Sequence, residues 1–419
     1  MSPRTRRTTT PLALAVGLTA ALALAACSSS PDPGSSGATA QPGATGGATI
    51  TYLVASTDPA AVKLQQDTVA PWETRTGNKV KVVAATDIDQ QLTQAFSAGS
   101  PPDLFVTDAT VFPTYAKAGN LVAYGDQLDM KSDFYPNLVQ TFTYNGKFYC
   151  APKDFTTLAL VINTDLWQQA GLGTGDVPQD WSALESVAQK LTKGSVKGLV
   201  IGDTSDRVGA FMKQAGGWIV SPDQTRMTAD TATNLTGLTE VKKLLANGSA
   251  SYPKGVGAES ATQALGEGKA VMTIETTSIR AAIKNSYPSL RWQAVELPAG
   301  PAAKGTLAFT ECYGIAAKSK NQAAAVDLVS YLSTSEPAMA LATGLGVMPS
   351  IRSAAATYKG SFPNDAAFIA GAEYAQLPVS VAGMVPVLKD FDAQVATLPQ
   401  GDPKTMLEQL QQKGTAVFQ

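Results

Sequence analysis

The stretch 148–191 constrains the fold more than any other part of the chain. Residues 156–162 are apolar or β-branched without interruption, which predicts a buried strand. The Asn-Thr-Asp triplet at 163–165 then offers cap oxygens to a short helix, and Gly171 stands where a C-terminal glycine belongs. Asp180 offers a cap to a second helix, whose apolar residues recur at helical spacing. The stretch therefore predicts a strand–helix–helix unit of an α/β protein.

The chain before this stretch repeats the same alternation. Short β-branched segments at 50–54, 80–83 and 102–108 predict strands, and helical patterns separate them. Strands that alternate with helices favour layered α/β architecture with a mainly parallel sheet. The length of 419 residues suggests about two domains.

Composition excludes several kinds of chemistry. The chain contains no histidine, so neither a Ser–His–Asp nor a Cys–His catalytic arrangement can form. A histidine-based zinc site is excluded in the same way, and the three cysteines show no Cys-x-x-Cys spacing. We predict neither a metal site nor a cofactor. The formal charge of -2 without a basic block makes nucleic acid an unexpected partner.

Residues 163–181 resemble the signature of the family 1 extracellular solute-binding proteins, which are the sugar receptors of ABC importers. In that family an asparagine precedes a helix that ends in Ala-Gly-Leu, and Pro-x-Thr-Trp then begins an amphipathic helix. The matching residues here are Asn163, Ala170, Gly171, Leu172, Pro178 and Trp181, with Asp180 in place of the usual threonine. Further resemblance extends over nearly all of residues 49–419 and is strongest at 148–191 and 307–352.

The resemblance implies a two-lobe periplasmic-binding-protein fold of type II. Each lobe is expected to be a mainly parallel sheet flanked by helices, and hinge strands join the lobes. The chain would cross between lobes near 153–157, 309–313 and 345–350. The implied N-terminal lobe is 49–155 plus 312–347, and the implied C-terminal lobe is 156–311 plus 348–419.

The first 26 residues have the order of a lipoprotein signal peptide. An arginine-rich beginning precedes an apolar run at 12–26 that is too short for a convincing membrane span. The Leu-Ala-Ala-Cys sequence that ends at Cys27 resembles the bacterial lipobox, in which cleavage precedes a lipid-bearing cysteine. Residues 27–48 are mainly Ser, Gly, Pro, Ala and Thr, which predicts a flexible tether. We therefore expect a monomeric, lipid-anchored protein on the outer face of the cell membrane.

Two cysteines remain once Cys27 is assigned to lipidation. Cys150 and Cys312 lie beside predicted crossing strands that are neighbours in the resembling family, and an extracytoplasmic compartment permits oxidation. The resemblance therefore implies a Cys150–Cys312 disulfide. The alternative is a pair of buried free thiols.

Candidate binding residues occur where predicted strands end. Ser56, Asp108 and the Lys153–Asp154 pair lie beyond such ends, where ligands of open α/β sheets bind, although each could also be part of a solvated loop. For a carbohydrate ligand the resemblance implies carboxylates and cations as hydroxyl partners and rings as stacking partners. The predicted hydroxyl partners are Ser56, Asp108, Lys153, Asp154, Asp206, Glu275 and Glu311. The predicted rings are Phe155, Trp218 and Tyr313. The tryptophan that usually follows the strand near 275 in the family is absent here, so one stacking contact of the family is not expected.

The resulting hypothesis is a receptor that closes on a carbohydrate and delivers it to the permease subunits of an ABC importer. We expect this carbohydrate to be an oligosaccharide. Three alternatives stay open at this point. The chain could bind another solute, such as a polyamine, glycerol phosphate or an iron complex, although a phosphate ligand would require more cationic residues than the sequence offers. It could be an exported glycosidase that uses two acids. It could also be a surface lipoprotein with no transport role.

Overall fold

The computed structural model describes residues 46–419. The signal peptide, Cys27 and nearly all of the tether lie outside these residues, so those predictions have no structural account. Strands in the described chain are β1 (Thr49–Val54), β2 (Lys79–Ala84), β3 (Leu104–Asp108), β4 (Thr143–Tyr144), β5 (Lys147–Phe148), β6 (Ala151–Asn163), β7 (Lys197–Val200), β8 (Ala250–Ser251), β9 (Ala270–Thr276), β10 (Trp292–Val295), β11 (Thr306–Ile315), β12 (Met348–Pro349) and β13 (Ala375–Gln376).

Helices fill most of the connections between these strands. They are α1 (Pro59–Thr76), α2 (Ile88–Ser97), α3 (Phe112–Lys117), α4 (Pro136–Thr141), α5 (Thr164–Gln169), α6 (Trp181–Leu191), α7 (Ser205–Gln214), α8 (Ala232–Ala246), α9 (Ala261–Gly266), α10 (Ile279–Ser286), α11 (Gln322–Leu332), α12 (Ser335–Leu345), α13 (Ala355–Ser361), α14 (Ala366–Gly371), α15 (Val385–Val395) and α16 (Pro403–Thr415). Among residues 46–419, no helix combines the length and apolarity needed to cross a membrane.

The helix caps and the C-terminal glycine predicted in the stretch 148–191 are confirmed. The side chain of Asn163 accepts from the backbone N–H groups of Asp165 and Leu166, both at 3.1 Å, and so caps α5. Gly171 follows α5 with a φ of +72°, a left-handed conformation that glycine adopts at little energetic cost. Asp180 caps α6 by accepting from Ala183 at 2.8 Å. These short-range contacts explain why the helices begin and end where the sequence predicts.

The main sheet contains both parallel and antiparallel strand pairs. Its strand order is β2-β1-β3-β11-β6-β9-β7-β8, with β10 and β12 also paired to β6 and β13 paired to β11. β1 is parallel to β2 and β3 on one side, and β7 is parallel to β8 and β9 on the other. Between these groups, β6 and β11 are antiparallel to each other and to their outer neighbours β9 and β3. Two parallel groups are therefore joined through two antiparallel strands.

β6 is the longest strand, and its two halves have different partners. Its first half pairs with β11 and β12, whereas the residues from Leu158 onward pair with β9 and β10. All thirteen of its residues are buried, including Lys153 and Asp154. The uninterrupted apolar run of this strand is explained by its cover on both faces.

Two large hydrophobic cores lie on either side of the crossing strands. The first draws its buried residues from 50–151 and 312–354, and the second from 158–307 and 379–410. The predicted lobe boundaries divide the chain in a similar way, except that Ile351 and Ala354 of the first core fall in the segment 348–419 assigned to the C-terminal lobe. These boundaries stay a prediction. Cys150 and Cys312 lie in the first core, fully buried and joined by a disulfide, with their Cα atoms 5.5 Å apart.

Candidate functional site

A cavity of about 680 Å³ opens beside the crossing strands. Loops that follow β1 and β3 line it on one side, and the first turns of α7 line it on the other. β6 and β11 contribute residues between these walls. The cavity thus lies at the carboxyl ends of β1 and β3, the place where open α/β sheets bind ligands.

Seven predicted site residues line this cavity. The carboxyl ends of β1 and β3 place the first two there, and the crossing strands and the region of α7 place the others. They are Ser56, Asp108, Lys153, Asp154, Asp206, Trp218 and Glu311.

Three other predicted residues do not line the cavity. Phe155 contacts the ring of Tyr135 at 5.3 Å between centroids and lines a separate pocket of about 240 Å³. Glu275 is buried and accepts from Arg207 at 2.8 Å. Tyr313 is 1% exposed and packs against Tyr52 within the first core. β11 keeps regular pairing with β3 through Tyr313, so this residue stays in alternation with Glu311, but the ring of Tyr52 packs against it and it is buried instead of facing the cavity.

Lys153 forms the centre of a buried charge cluster in the cavity wall. Its ammonium group donates to the carboxylate of Asp154 and, at 3.1 Å, to that of Glu311. The side chains of Lys153 and Asp154 are 5% and 8% exposed, whereas that of Glu311 is 36% exposed. One cation thus meets two carboxylates, which leaves a net negative charge at the cavity surface.

The pKa values of this cluster reflect burial and pairing. Burial opposes the charge of Lys153, but the carboxylates of Asp154 and Glu311 hold its pKa well above the ordinary value. The pKa of Asp154 is raised to about 6. Burial is the main cause, the charge of Lys153 opposes it, and the charge of Glu311 adds to it. At neutral pH the lysine stays charged and Asp154 is mainly ionised.

Asp108 and Asp206 face the cavity from its two sides. One oxygen of Asp108 accepts from the backbone and hydroxyl of Thr110, both at 2.6 Å, and from the backbone of Val111. Within residues 46–419, no donor pairs with the carboxylate of Asp206. Burial raises the pKa of Asp206, Arg207 lowers it, and the charges of Asp392 and Asp108 raise it further. Asp206 is accessible to solvent and still surrounded by protein, as a group in a cleft should be.

Apolar side chains form the remaining walls. Trp218, Phe309 and Phe391 provide rings, and Met212 and Leu388 provide aliphatic surface. The guanidinium of Arg207 lies 5.9 Å from the centre of the Phe309 ring while it donates to Glu275. Glu275 therefore contributes to the site indirectly, through the residue that packs against Phe309.

Several lining residues were missed by sequence reasoning. Phe309 precedes Glu311 by two positions on a predicted strand, so alternation alone could have identified it. Gln376, Leu388 and Phe391 come from the last 50 residues and carried no local signal. The polar residues Gln65, Thr110, Thr156 and Ser205 also line the cavity.

Comparison with known proteins identifies the family. A family model described as bacterial extracellular solute-binding protein matches residues 67–370, well over half of the chain. The chain is also 29% identical over 159 residues to the diacetylchitobiose binding protein DasA of Streptomyces coelicolor. That match spans 34% of this chain and 37% of the DasA protein.

Solved structures share the fold over almost their whole length. The ABC substrate-binding protein Lmo0181 from Listeria monocytogenes, in complex with cycloalternan, has a TM-score of 0.78 and 22% identity, covering 87% of this chain and 97% of that chain. UgpB from Mycobacterium tuberculosis, in complex with glycerophosphocholine, has a TM-score of 0.77 and 18% identity, covering 89% and 98%. These matches confirm the predicted two-lobe fold class. The chain belongs to the family of bacterial extracellular solute-binding proteins.

Proposed function

We propose that the protein is an extracytoplasmic carbohydrate receptor, which closes on an oligosaccharide and delivers it to the permease of an ABC importer. The observation that carries this proposal is the cavity of about 680 Å³, which is lined by both carboxylates and aromatic rings. This volume lies within the range of small-molecule binding sites. A sugar presents hydroxyl edges and apolar ring faces, which require this combination of walls.

The polar wall is suited to hydroxyl groups. Carboxylate oxygens of Asp108, Asp206 and Glu311 are available as acceptors of charge-assisted hydrogen bonds. Ser56 lines the same cavity just after β1, and its hydroxyl oxygen accepts from the backbone of Asp58 at 3.2 Å. Lys153 donates to both Asp154 and Glu311, and this shared contact fixes the carboxylate of Glu311.

The apolar wall is suited to ring faces. Trp218 keeps its predicted role as a stacking residue, and Phe309 joins it. Phe155 and Tyr313 were also predicted as rings of the site. Phe155 instead packs in a separate hydrophobic cluster, and Tyr313 packs in the first core. Stacking on aromatic faces would align the sugar while the carboxylates select its hydroxyl pattern.

Closure would occur about the crossing strands. β11 pairs with β3 of one parallel group, β6 pairs with β9 of the other, and the two strands pair with each other, so small changes along them would reorient one lobe relative to the other. We place the lobe boundaries as the sequence predicts, at 49–155 plus 312–347 and 156–311 plus 348–419. A ligand that contacts both walls favours the closed population, which the permease would recognise.

The charge of the cavity favours some of the alternative solutes over others. Five carboxylates line it and Lys153 is the one lysine or arginine among the lining residues in the described chain. Glycerol phosphate or an anionic iron complex would meet net repulsion there. A polyamine would not, and it stays the alternative solute that this cavity favours.

The experiment is a calorimetric titration with a panel of mono- and oligosaccharides. We expect at least one oligosaccharide to bind and to raise the melting temperature. Phe309→Ala should weaken its binding about tenfold, or about 1.4 kcal/mol, through loss of ring contact. Phe155→Ala is the matched control, because this phenylalanine lies on the paired strand outside the cavity. Hydrolysis of the sugar during incubation would support an enzyme instead, and failure of the whole panel would contradict the proposal.

The membrane anchor is a separate part of the proposal. Lipidation of Cys27 followed by a tether would hold a monomeric receptor at the outer face of the membrane. Cys27→Ser should release the protein from the membrane fraction without changing its sugar affinity. Retention of that variant in the membrane would contradict the anchor.

A further inference from the structure

The cavity carries more negative charge than a neutral sugar can balance. Its lining includes Asp58, Asp108, Asp154, Asp206 and Glu311, against Lys153 alone, which gives a net charge of −4 when all six are ionised. Lys153 is already occupied by Asp154 and Glu311. Within residues 46–419 the nearest guanidinium, that of Arg207, is paired with Glu275 behind the wall.

Two of these carboxylates line the cavity from different parts of the fold. Asp108 follows β3 in the first parallel group, and Asp206 begins α7 beside the second core. Their charges are close enough that Asp108 contributes to the raised pKa of Asp206. Closure of the cavity would bring both walls onto the ligand and remove water that screens this repulsion.

Asp89 extends the acidic region at the same end of the sheet. Burial and, after it, the charges of Asp108 and Asp87 together raise its pKa to about 6 against the opposing charge of Lys389. Glu311 contributes in the same direction as the two aspartates. The accumulation of negative charge therefore reaches from the floor of the cavity at Glu311 to the region of Asp89.

We infer that the carbohydrate bound in this cavity carries a protonated amine, so that the ligand class is an amino-sugar-containing oligosaccharide. An ammonium group between Asp108 and Asp206 would form charge-assisted hydrogen bonds with both carboxylates and relieve their repulsion. The rings of Trp218 and Phe309 also favour a cation near their faces. Sugar hydroxyls can donate to the same oxygens, but they bring no charge. This inference rests on the proposed carbohydrate function and specifies its ligand.

The test compares sugars that differ only in the amine. Suitable sets are glucosamine with glucose, galactosamine with galactose, and the β-1,4-linked tetramers of glucosamine, N-acetylglucosamine and glucose. Spermine serves as a cation without a sugar ring. Each would be titrated calorimetrically into the full protein at about 20 mM and about 300 mM salt, which changes the screening length severalfold.

We expect the amine form in at least one set to bind ten times more tightly than its hydroxyl and N-acetyl counterparts at low salt. The advantage should shrink at high salt. Asp206→Asn should lower the affinity for the amine form about tenfold, because the amide keeps hydrogen-bonding groups and loses the charge. Glu259→Gln, which removes one exposed acid outside the cavity, should leave this affinity unchanged.

The possible outcomes separate this inference from the proposed function. Equal or tighter binding of the neutral sugars would overturn the inference and retain the carbohydrate receptor. Binding of spermine without any sugar would overturn the carbohydrate function and retain the requirement for a cation. Failure of all the compounds would overturn both.

Discussion

Two buried ion pairs in this protein have different surroundings. Arg280 donates to Asp365, to the hydroxyl of Tyr358 and, at 3.3 Å, to the carbonyl of Ala342, and its guanidinium stacks 3.8 Å from the centre of the Phe362 ring. Lys153 instead shares its charge between Asp154 and Glu311 and lies against the cavity. The first cluster is balanced one to one, and the second has an excess of carboxylate.

The difference indicates two roles for buried charge. In the first cluster the charges of Arg280 and Asp365 balance each other, and the contacts of Arg280 with Asp365 and Tyr358 hold α10 against α13 and the residues before α14. The unbalanced cluster at Lys153 keeps a carboxylate accessible at the cavity surface. We therefore expect changes in the first cluster to affect stability alone, and changes in the second to affect both stability and binding.

The largest expected effect is at the balanced pair. Asp365→Ala leaves the guanidinium of Arg280 buried without its carboxylate, which should lower the free energy of unfolding by about 3–5 kcal/mol. Ligand affinity, measured well below the melting temperature, should not change. The double variant Arg280→Met with Asp365→Leu should recover most of the loss in chemical denaturation. A large affinity change in the folded Asp365→Ala protein would contradict the distinction between the clusters.

The covalent link beside the unbalanced cluster comes next. Cys150 and Cys312 connect the beginning of β6 to β11, next to Lys153 and Glu311, over a separation of 162 residues. Cys312→Ser should lower the free energy of unfolding by about 2–4 kcal/mol. Titration of unfolded protein should show two more thiols after reduction than before it. Equal numbers before and after would contradict the disulfide.

The unbalanced cluster itself should respond in a pH-dependent way. Lys153→Met leaves Asp154 and Glu311 without their cation, so at pH 7 we expect a loss of about 2–3 kcal/mol and at least a hundredfold weaker binding. Asp154 can take up a proton as the pH falls, and the stability difference from wild type should therefore be smaller at pH 5. Adding Asp154→Asn should restore stability without restoring affinity. An equal loss at both pH values would indicate that charge is not the cause.

Local patterns in the sequence predicted what depends on local contacts. The caps at Asn163 and Asp180 bond to backbone groups two or three residues away, so their signals lie within the motif itself. Lys153 and Asp154 were identified because a charged pair adjoins the apolar run at 156–162, at a predicted strand end. The family resemblance supplied the crossing strands and the cysteine pair, which periodicity alone does not give.

Contacts between distant segments were harder to predict. Tyr313 was predicted as a ring of the site for a carbohydrate ligand, but its ring is buried in the first core against Tyr52, which is 261 positions away in the sequence. Leu388 and Phe391 reach the cavity from α15, which no motif connects to the crossing strands. The excess of carboxylate could not be counted from the sequence either, since only the fold separates cavity acids from surface acids.

The smallest expected effect concerns Asp89, at the outer limit of the acidic region. Its pKa in the folded protein is about 6, above the value of 3.8 for a free side chain, so its contribution to stability is present below about pH 4 and is lost as the pH rises to about 6. The gain in free energy of unfolding from Asp89→Asn, relative to wild type, should therefore be larger at pH 7 than at pH 4. The difference should be less than about 1 kcal/mol, because an acid in the first turn of α2 also gains from the helix dipole.

Chemical denaturation of wild type and Asp89→Asn at the two pH values measures this difference. Asp129→Asn, at an exposed position outside the acidic region, should show no such pH dependence. If Asp89→Asn is no more favourable at pH 7 than at pH 4, the excess negative charge does not extend beyond the cavity. The contrast with the balanced pair would then rest on Lys153 and its two carboxylates alone.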